Sequence, residues 1–302
     1  MKSNFFTFLL LIFLVIFNNS CSNGDEIQST TNNIGSQNPV QSSNKILKFI
    51  KDYYGITHYF QSSNGKIVLW NTSYNTSYNA LIHSISYNSM GKIDKISISE
   101  PSLPNSYEAQ FKYNNNLLSE ILNVYKDTNG NIRAYKSHNI SYNNSKIYRI
   151  VQTGYSFPQF YIDDVLSNCK ILELQFSNEN VIKTAYTYGQ FSRSTGVINE
   201  DTSAPITKLY TYNNSIINPY STFPVEFQLY LVSIEMESSN LFYADSLSKN
   251  AKNNLTTYTY QSLFSDYYFN YETDPNLNGL PKKIDSNNSN FGSKATFEYD
   301  SY

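Results

Sequence analysis

The chain has 302 residues, a formal net charge of −2 and two cysteines. Near-neutrality without a basic run excludes the electrostatic footprint of a nucleic-acid binder and of a polybasic lipid-binding surface. The 28 Tyr and 19 Phe, set among Asn, Ser and Ile, favour strands separated by turns, so the composition predicts an all-β chain.

The chain starts with Lys2 and an apolar run from Phe5 to Phe17, followed by Asn18-Asn19-Ser20-Cys21. The run is too short for a transmembrane helix, which needs about 20 residues, and fits the core of a secretory signal. A Cys after a small residue at the end of such a run resembles the bacterial lipobox, although Asn18 stands where Leu is usual. The resemblance implies a signal peptide over 1–20 and lipidation of Cys21, with two or three acyl chains giving stable attachment. Ordinary cleavage near Ser20 or Ser22 and a retained anchor are the alternatives. Asp25 and Glu26 resemble the acidic export tag of surface lipoproteins in the Bacteroidetes, or are two solvated acids. Residues 21–44, poor in apolar side chains, read as the lipidated Cys and a flexible tether. A single domain is predicted over 45–302.

From there one pattern recurs. A strand ends in an aromatic residue, a short Asn/Gly/Ser turn follows, and the next strand opens on an aliphatic residue. Ile85-Ser86-Tyr87 leads through Asn88–Gly91 into Ile93 and Ile96. Phe111-Lys112-Tyr113 leads through three Asn into Leu118 and Ile121. Ile140-Ser141-Tyr142 leads through Asn143-Asn144-Ser145 into Ile147 and Ile150. Asn and Gly supply the positive φ of tight hairpins, so each copy predicts one antiparallel connection. The aliphatic pairs are three apart, which puts them on opposite faces of a regular strand; either both faces are covered or a bulge intervenes. No sustained helical period follows residue 21, and short helical turns are expected near 46–54 and 244–252.

The segment Tyr87–Ile96 resembles the tyrosine–aspartate (YD) repeat of Rhs-type proteins. With the lipoprotein start, the chain looks like an uncharacterised family of Bacteroidetes lipoproteins described as porin-like. That resemblance implies a fold and no activity. A membrane-spanning barrel needs an outward face that is apolar, whereas Lys294, Thr296, Glu298 and Asp300 make one face of the last strand polar. The expected fold is a water-facing meander forming a curved sheet or partly closed barrel.

Candidate chemistry is sparse. His58, His83 and His138 stand apart, without metal-ligand spacing. Cys169 reads as a small residue buried in a strand. Asp274-Pro275-Asn276-Leu277-Asn278-Gly279 matches the first half of a calcium loop, with Asp285 at the twelfth position in place of Glu, so Asp274, Asn276, Asn278 and Asp285 are candidate ligands, against a plain hairpin loop. Asp127–Asn131 is a poorer echo. Glu235 and Glu237 share one face if their segment is a strand, a spacing glycosidases use; a solvated outer face explains them fully. Trp70 is the candidate ligand platform among Tyr residues that otherwise read as cross-strand ladders.

These readings predict a non-enzymatic cell-envelope lipoprotein, held at the outer membrane by lipid on its periplasmic or surface face. It would bind a glycan or protein on an aromatic-rich sheet face, with no cofactor and no nucleic acid. A structural subunit of an outer-membrane complex is the alternative, and a hydrolase a distant third.

Overall fold

The computed structural model describes residues 45–51, 56–73, 81–99, 106–156, 166–192, 194–237, 253–260, 265–286 and 295–301. The signal peptide expected over 1–20, Cys21, the expected tether and the turn expected at 244–252 lie outside them. The described strands are β1 (Lys45–Lys51), β2 (Thr57–Ser63), β3 (Lys66–Ser73), β4 (Leu81–Tyr87), β5 (Ile93–Ser99), β6 (Ser106–Asn114), β7 (Leu117–Lys126), β8 (Ile132–Asn143) and β9 (Lys146–Ser156). They continue as β10 (Leu166–Ser177), β11 (Asn180–Ser192), β12 (Ile198–Glu200), β13 (Ile206–Ile217), β14 (Asn253–Tyr260), β15 (Ser265–Thr273), β16 (Pro281–Ser286) and β17 (Ala295–Ser301). One α-helix, α1 (Val225–Glu237), lies between β13 and β14. The all-β antiparallel meander is therefore as expected, and the stretch from residue 46 is strand where a helical turn was anticipated.

Consecutive strands pair, with β12 and β13 sharing one edge of β11. The sheet curls until β1 lies between β2 and β17, hydrogen-bonded to both. The wall is thin at β16–β17, which Lys283–Thr296 and Ile284–Ala295 join. No described helix is long and apolar enough to cross a membrane. The outward positions of the strands include Ser84, Ser86, Asp94, Lys112, Glu298 and Thr296, together with the apolar Tyr148, Ile182 and Leu209.

A bulge resolves the spacing of three. Ser86 pairs with Lys95 but Tyr87 pairs with Ile93, so Asp94 is passed over. Ile93 and Ile96 then both face inward, each 0% exposed. The same slip passes over Val68, Ser119, Tyr148 and Ile182. It turns Ile67 with Trp70, Leu118 with Ile121, and Ile147 with Ile150 into the core. The turns that precede these bulges use left-handed backbone, as at Asn64-Gly65 and Asn115-Asn116, where Asn and Gly bear it at least cost.

The tyrosine of each repeat closes onto the previous hairpin. Its hydroxyl donates to the carbonyl of the first inward residue after that hairpin's turn: Tyr87 to Ile67 (2.7 Å), Tyr113 to Ile93 (2.6 Å) and Tyr142 to Leu118 (2.9 Å). Tyr212 reaches Val181 (2.6 Å) and Tyr299 reaches Pro281 (2.8 Å) in the same way. The lysine after the turn reaches forward instead. Lys66 donates to the Gly91 carbonyl, Lys92 to Asn116 and Lys146 to Asn178. Lys66 and Lys92 also lie over the rings of Tyr87 and Tyr113.

Helix α1 runs lengthwise inside the curved sheet. It starts beside the rim that carries the tight turns: Ile217 N donates to Gly279 O, and a 3-10 turn at Pro219–Thr222 places Thr222 Oγ1 to accept from Leu47 N. It ends against Tyr125, near the opposite rim. Phe227, Leu229, Tyr230, Leu231, Val232 and Met236, which point to several sides of the helix, are all buried, while Val225 in the first turn is exposed. Glu235 and Glu237 therefore belong to a helix and not to a strand. Two residues apart on a helix, they do not face each other, and the glycosidase-like spacing is lost.

Phe176 occupies in β10 the place of Tyr142 in β8 but carries no hydroxyl. Tyr113→Phe should lower the unfolding free energy by about 1 kcal/mol. Phe176→Tyr, which aims a hydroxyl at the Ile147 carbonyl, should leave stability unchanged or raise it by about as much. Urea denaturation of both variants checks this, and a Tyr113→Phe midpoint equal to the parent's would show the hydroxyl contacts to be without weight.

Candidate functional site

The helix has two neighbourhoods inside the sheet. On the side of β1, β2 and β3 lies an apolar crevice of about 150 Å³, lined by Ile50, His58, Phe60, Trp70, Tyr220, Leu231 and Ile234. Trp70 is 8% exposed and is no flat surface platform. Its ring stacks 4.0 Å from His83 and 6.0 Å from Phe60, with interplanar angles of 21° and 14°. Its indole N–H donates to His58 Nδ1 at 3.3 Å, and Phe227 meets it edge-on. These contacts fix the indole plane before any ligand arrives.

On the side of β7 to β10 the inward positions turn polar. Asn123 sits opposite Lys136, His138 opposite Gln152, and Gln152 opposite Lys170. They converge on the helix C-terminus. Glu237 accepts from Asn123 Nδ2 and the Tyr125 hydroxyl and forms an ion pair with Lys136 Nζ at 3.3 Å. Lys170 Nζ caps the helix by donating to Met236 O at 2.6 Å. Gly154 makes room for this arrangement: a Cβ there would lie 2.8 Å from Lys136 Cγ and 2.9 Å from the Tyr135 carbonyl.

The electrostatics follow from burial and pairing. Burial alone would push the Glu237 carboxyl up, but Lys136 and His138, with the Tyr125 and Asn123 hydrogen bonds, outweigh it and hold the group below its ordinary value. Burial, and next the Lys136 charge, bring Lys170 down to about 8. Burial brings His138 and His83 down to about 4. The cluster also holds buried polar atoms without a well-formed hydrogen bond: Asn123 Oδ1, the Tyr230 hydroxyl and both His138 ring nitrogens. Glu237 is thus an anchor of the helix, its lone pairs taken up by wall side chains.

The calcium-like loop is a hairpin connection. Asp274 caps a 3-10 turn, its carboxylate accepting from Asn276 N at 2.9 Å, and Asn278 takes left-handed backbone at φ 50°. Asp285 pairs with Asn270, whereas Thr273 beside the loop pairs with Pro281. Four strand residues from Pro281 put it roughly 13 Å from the turn. Asp274, Asn276, Asn278 and Asp285 are therefore not brought together as calcium ligands. Among the described residues no cluster of three His, Cys, Asp or Glu could hold a metal. Asp127 uses its carboxylate within its own turn, accepting from Asn129 N, Asn131 N and Arg133.

The aromatic-rich face of the sheet is its inner face. The repeat tyrosines are half-buried and packed against the core, so the expected exposed stacking surface is not formed by them. Cys169 is buried, as expected, but on the outer face, in a small cluster with Val151, Ile171, Phe191 and Ile198 beneath β12. Sequence reasoning missed the Glu237 anchor because it missed the helix. The usable signal was Phe223-Pro224-Val225-Glu226, a proline and an acid where helices begin.

The sequence matches no family model and no curated protein. Its structure is similar to that of a porin-like protein from Bacteroides uniformis, at 12% identity and a TM-score of 0.48, covering 87% of this chain and 98% of the other. It is also similar to a porin-like protein from Bacteroides vulgatus, at 12% identity and a TM-score of 0.45, covering 85% of this chain and 100% of the other.

Two outcomes follow from the polar cluster. Glu237→Ala leaves Lys136, Asn123 and Tyr125 facing an interior without their partner and should cost about 3–5 kcal/mol in urea denaturation. The buried histidines stay neutral in the fold, whereas in the unfolded chain they protonate near 6.5. The unfolded state therefore binds more protons as pH falls, so stability is full above about 6.5 and drops by about 3 kcal/mol per histidine on the way to about 4. Below that, protonation of Glu237 removes its contribution too. Denaturation at pH 7, 5.5 and 4 measures the slope, and the His83→Phe, His138→Leu double variant should flatten it.

Proposed function

We propose that the chain is a non-enzymatic lipoprotein of the bacterial cell envelope. Cys21 carries the lipid, residues 22–44 act as the tether, and the β-domain binds a ligand at the outer membrane. The observation that carries the binding reading is the crevice beside Trp70. Helix α1 occupies the inside of the curved sheet, and the crevice is the room left between it and the wall of β1–β3. The non-enzymatic reading rests on Glu237, whose carboxylate is held by Lys136, Tyr125 and Asn123. A ligand that enters the crevice meets apolar and aromatic walls, which favours an apolar group of a glycolipid or protein over a bare sugar.

The alternative, an accessory subunit of an outer-membrane complex, draws on the outward apolar side chains Tyr148, Ile182 and Leu209 of β9, β11 and β13, each 38–44% exposed. The two readings part in one experiment. The melting temperature of the chain lacking residues 1–20 is measured against oligosaccharides, lipid headgroups and aromatic amino-acid derivatives. A ligand at one hundred times its dissociation constant adds about 2.7 kcal/mol and a visible shift. A flat panel with a cooperative melt, together with co-purification of envelope proteins in detergent, would favour the subunit. Labelled palmitate incorporated by the full chain and lost in Cys21→Ala checks the anchor.

A further inference from the structure

We propose that the crevice beside Trp70 is a receptor for a single aromatic ring, so that its ligand is a small molecule or group ending in one such ring. This rests on the binding reading above and specifies its chemistry. The volume sets the first limit. At about 150 Å³ the crevice falls below the 300–1,000 Å³ of sites that enclose drug-sized molecules, and matches an apolar cavity that stays dry and takes up benzene.

The walls set the second limit. Phe60 and Trp70 lie nearly parallel, with an interplanar angle of 14°, and the His58 ring follows at 28° to Trp70. These roughly parallel rings, stacked on one another, give one wall an aromatic lining, and Leu231 and Ile234 of α1 complete it with aliphatic surface. Among the described residues no carboxylate lines the crevice, so a cation finds no counter-charge from them, and the lining is too apolar to repay the desolvation of sugar hydroxyls.

The third argument is preorganisation. Trp70 is held by its N–H bond to His58, by the His83 stack and by the Phe227 edge contact. A guest ring therefore meets a wall already in place, and little ordering entropy is lost on binding.

Trp70 is the sole tryptophan of the chain, so its emission reports the site directly. The full chain is titrated with toluene as the probe, and with maltose as a polar control. Saturable change of Trp70 emission and a raised melting temperature with toluene, and neither with maltose, are expected. Ile234→Phe, which narrows the crevice, should weaken toluene binding at least tenfold while its melt without ligand stays cooperative. Should Ile234→Phe fail to fold, Leu231→Ile, which reshapes the lining at constant volume, should still change the toluene affinity. The proposal is overturned if toluene leaves emission and melting unchanged up to its solubility, or if it binds the variants as it binds the parent. A different member of the ligand panel binding while toluene does not would overturn the ring receptor alone and leave the binding function standing.

Discussion

A sheet of this many strands, curled until its first and last members pair, encloses more room than its own side chains can fill. Barrels of comparable strand number elsewhere hold an aqueous channel. In this chain the inward residues of the described strands are largely Ile, Leu, Phe and Tyr, with one polar group on β7–β10 that is spent on the helix end, and such a lining cannot face water at that scale. The interior must therefore be filled with polypeptide, and α1 fills it. Its lack of amphipathicity is a direct consequence: a helix whose apolar residues are buried on several sides has no continuous polar stripe to keep. The other arrangements around it follow. Leu47 N, freed from the ladder at the bulge of β1, finds Thr222 at the start of the helix segment. Lys170 and Glu237 pin the far end, and the crevice is the part of the lumen that the helix leaves.

The wall itself is built from one local device used many times. A bulge after most of the tight turns puts two aliphatic residues on the same face, and in five places the carbonyl of the first inward residue is taken by the next tyrosine. Without the tyrosine hydroxyl that carbonyl would lose a partner in an apolar wall, which costs about 1 kcal/mol. The lysine that reaches the following turn extends the same logic forward, so each hairpin is fastened to the one before and the one after.

Much of this wall was legible. Tyr87 with Asn88–Gly91 and Ile93 with Ile96 carry the hairpin and the turn, because turn chemistry is a local property, while the aliphatic spacing left a covered second face and a bulge both open until the register decided. The helix was not legible. Val225-Glu226-Phe227-Gln228-Leu229 alternates as a strand does, and Val, Phe and Tyr favour strands; enclosure by the wall, a tertiary circumstance, overrides that preference. Missing the helix meant missing the Glu237 cluster, whose members come from β7, β8, β10 and α1 and share no sequence pattern. Trp70 stood out because it is unique in the chain, but its burial was not legible: the residues that bury it, Phe60, His83 and Phe227, are brought there by pairing and by the helix. The calcium-like spacing failed for the opposite reason. Consecutive residues in a sequence match were separated by a strand that runs away from the turn.

The seam between β1 and β17 has a temporal meaning. Each of the other neighbours of a strand is close in the chain, but β1 waits for a partner some 250 residues later. While the chain folds hairpin by hairpin, β1 presents an open edge of unsatisfied amides, the kind of edge that recruits strands of other molecules. Lys45, Lys48 and Lys51 space positive charge along that edge, and in the finished fold Lys45 meets Ser301 while Lys48 pairs with Asp300 at 3.2 Å. The same lysines thus act as a guard against foreign strands during assembly and as a clasp once the proper strand arrives.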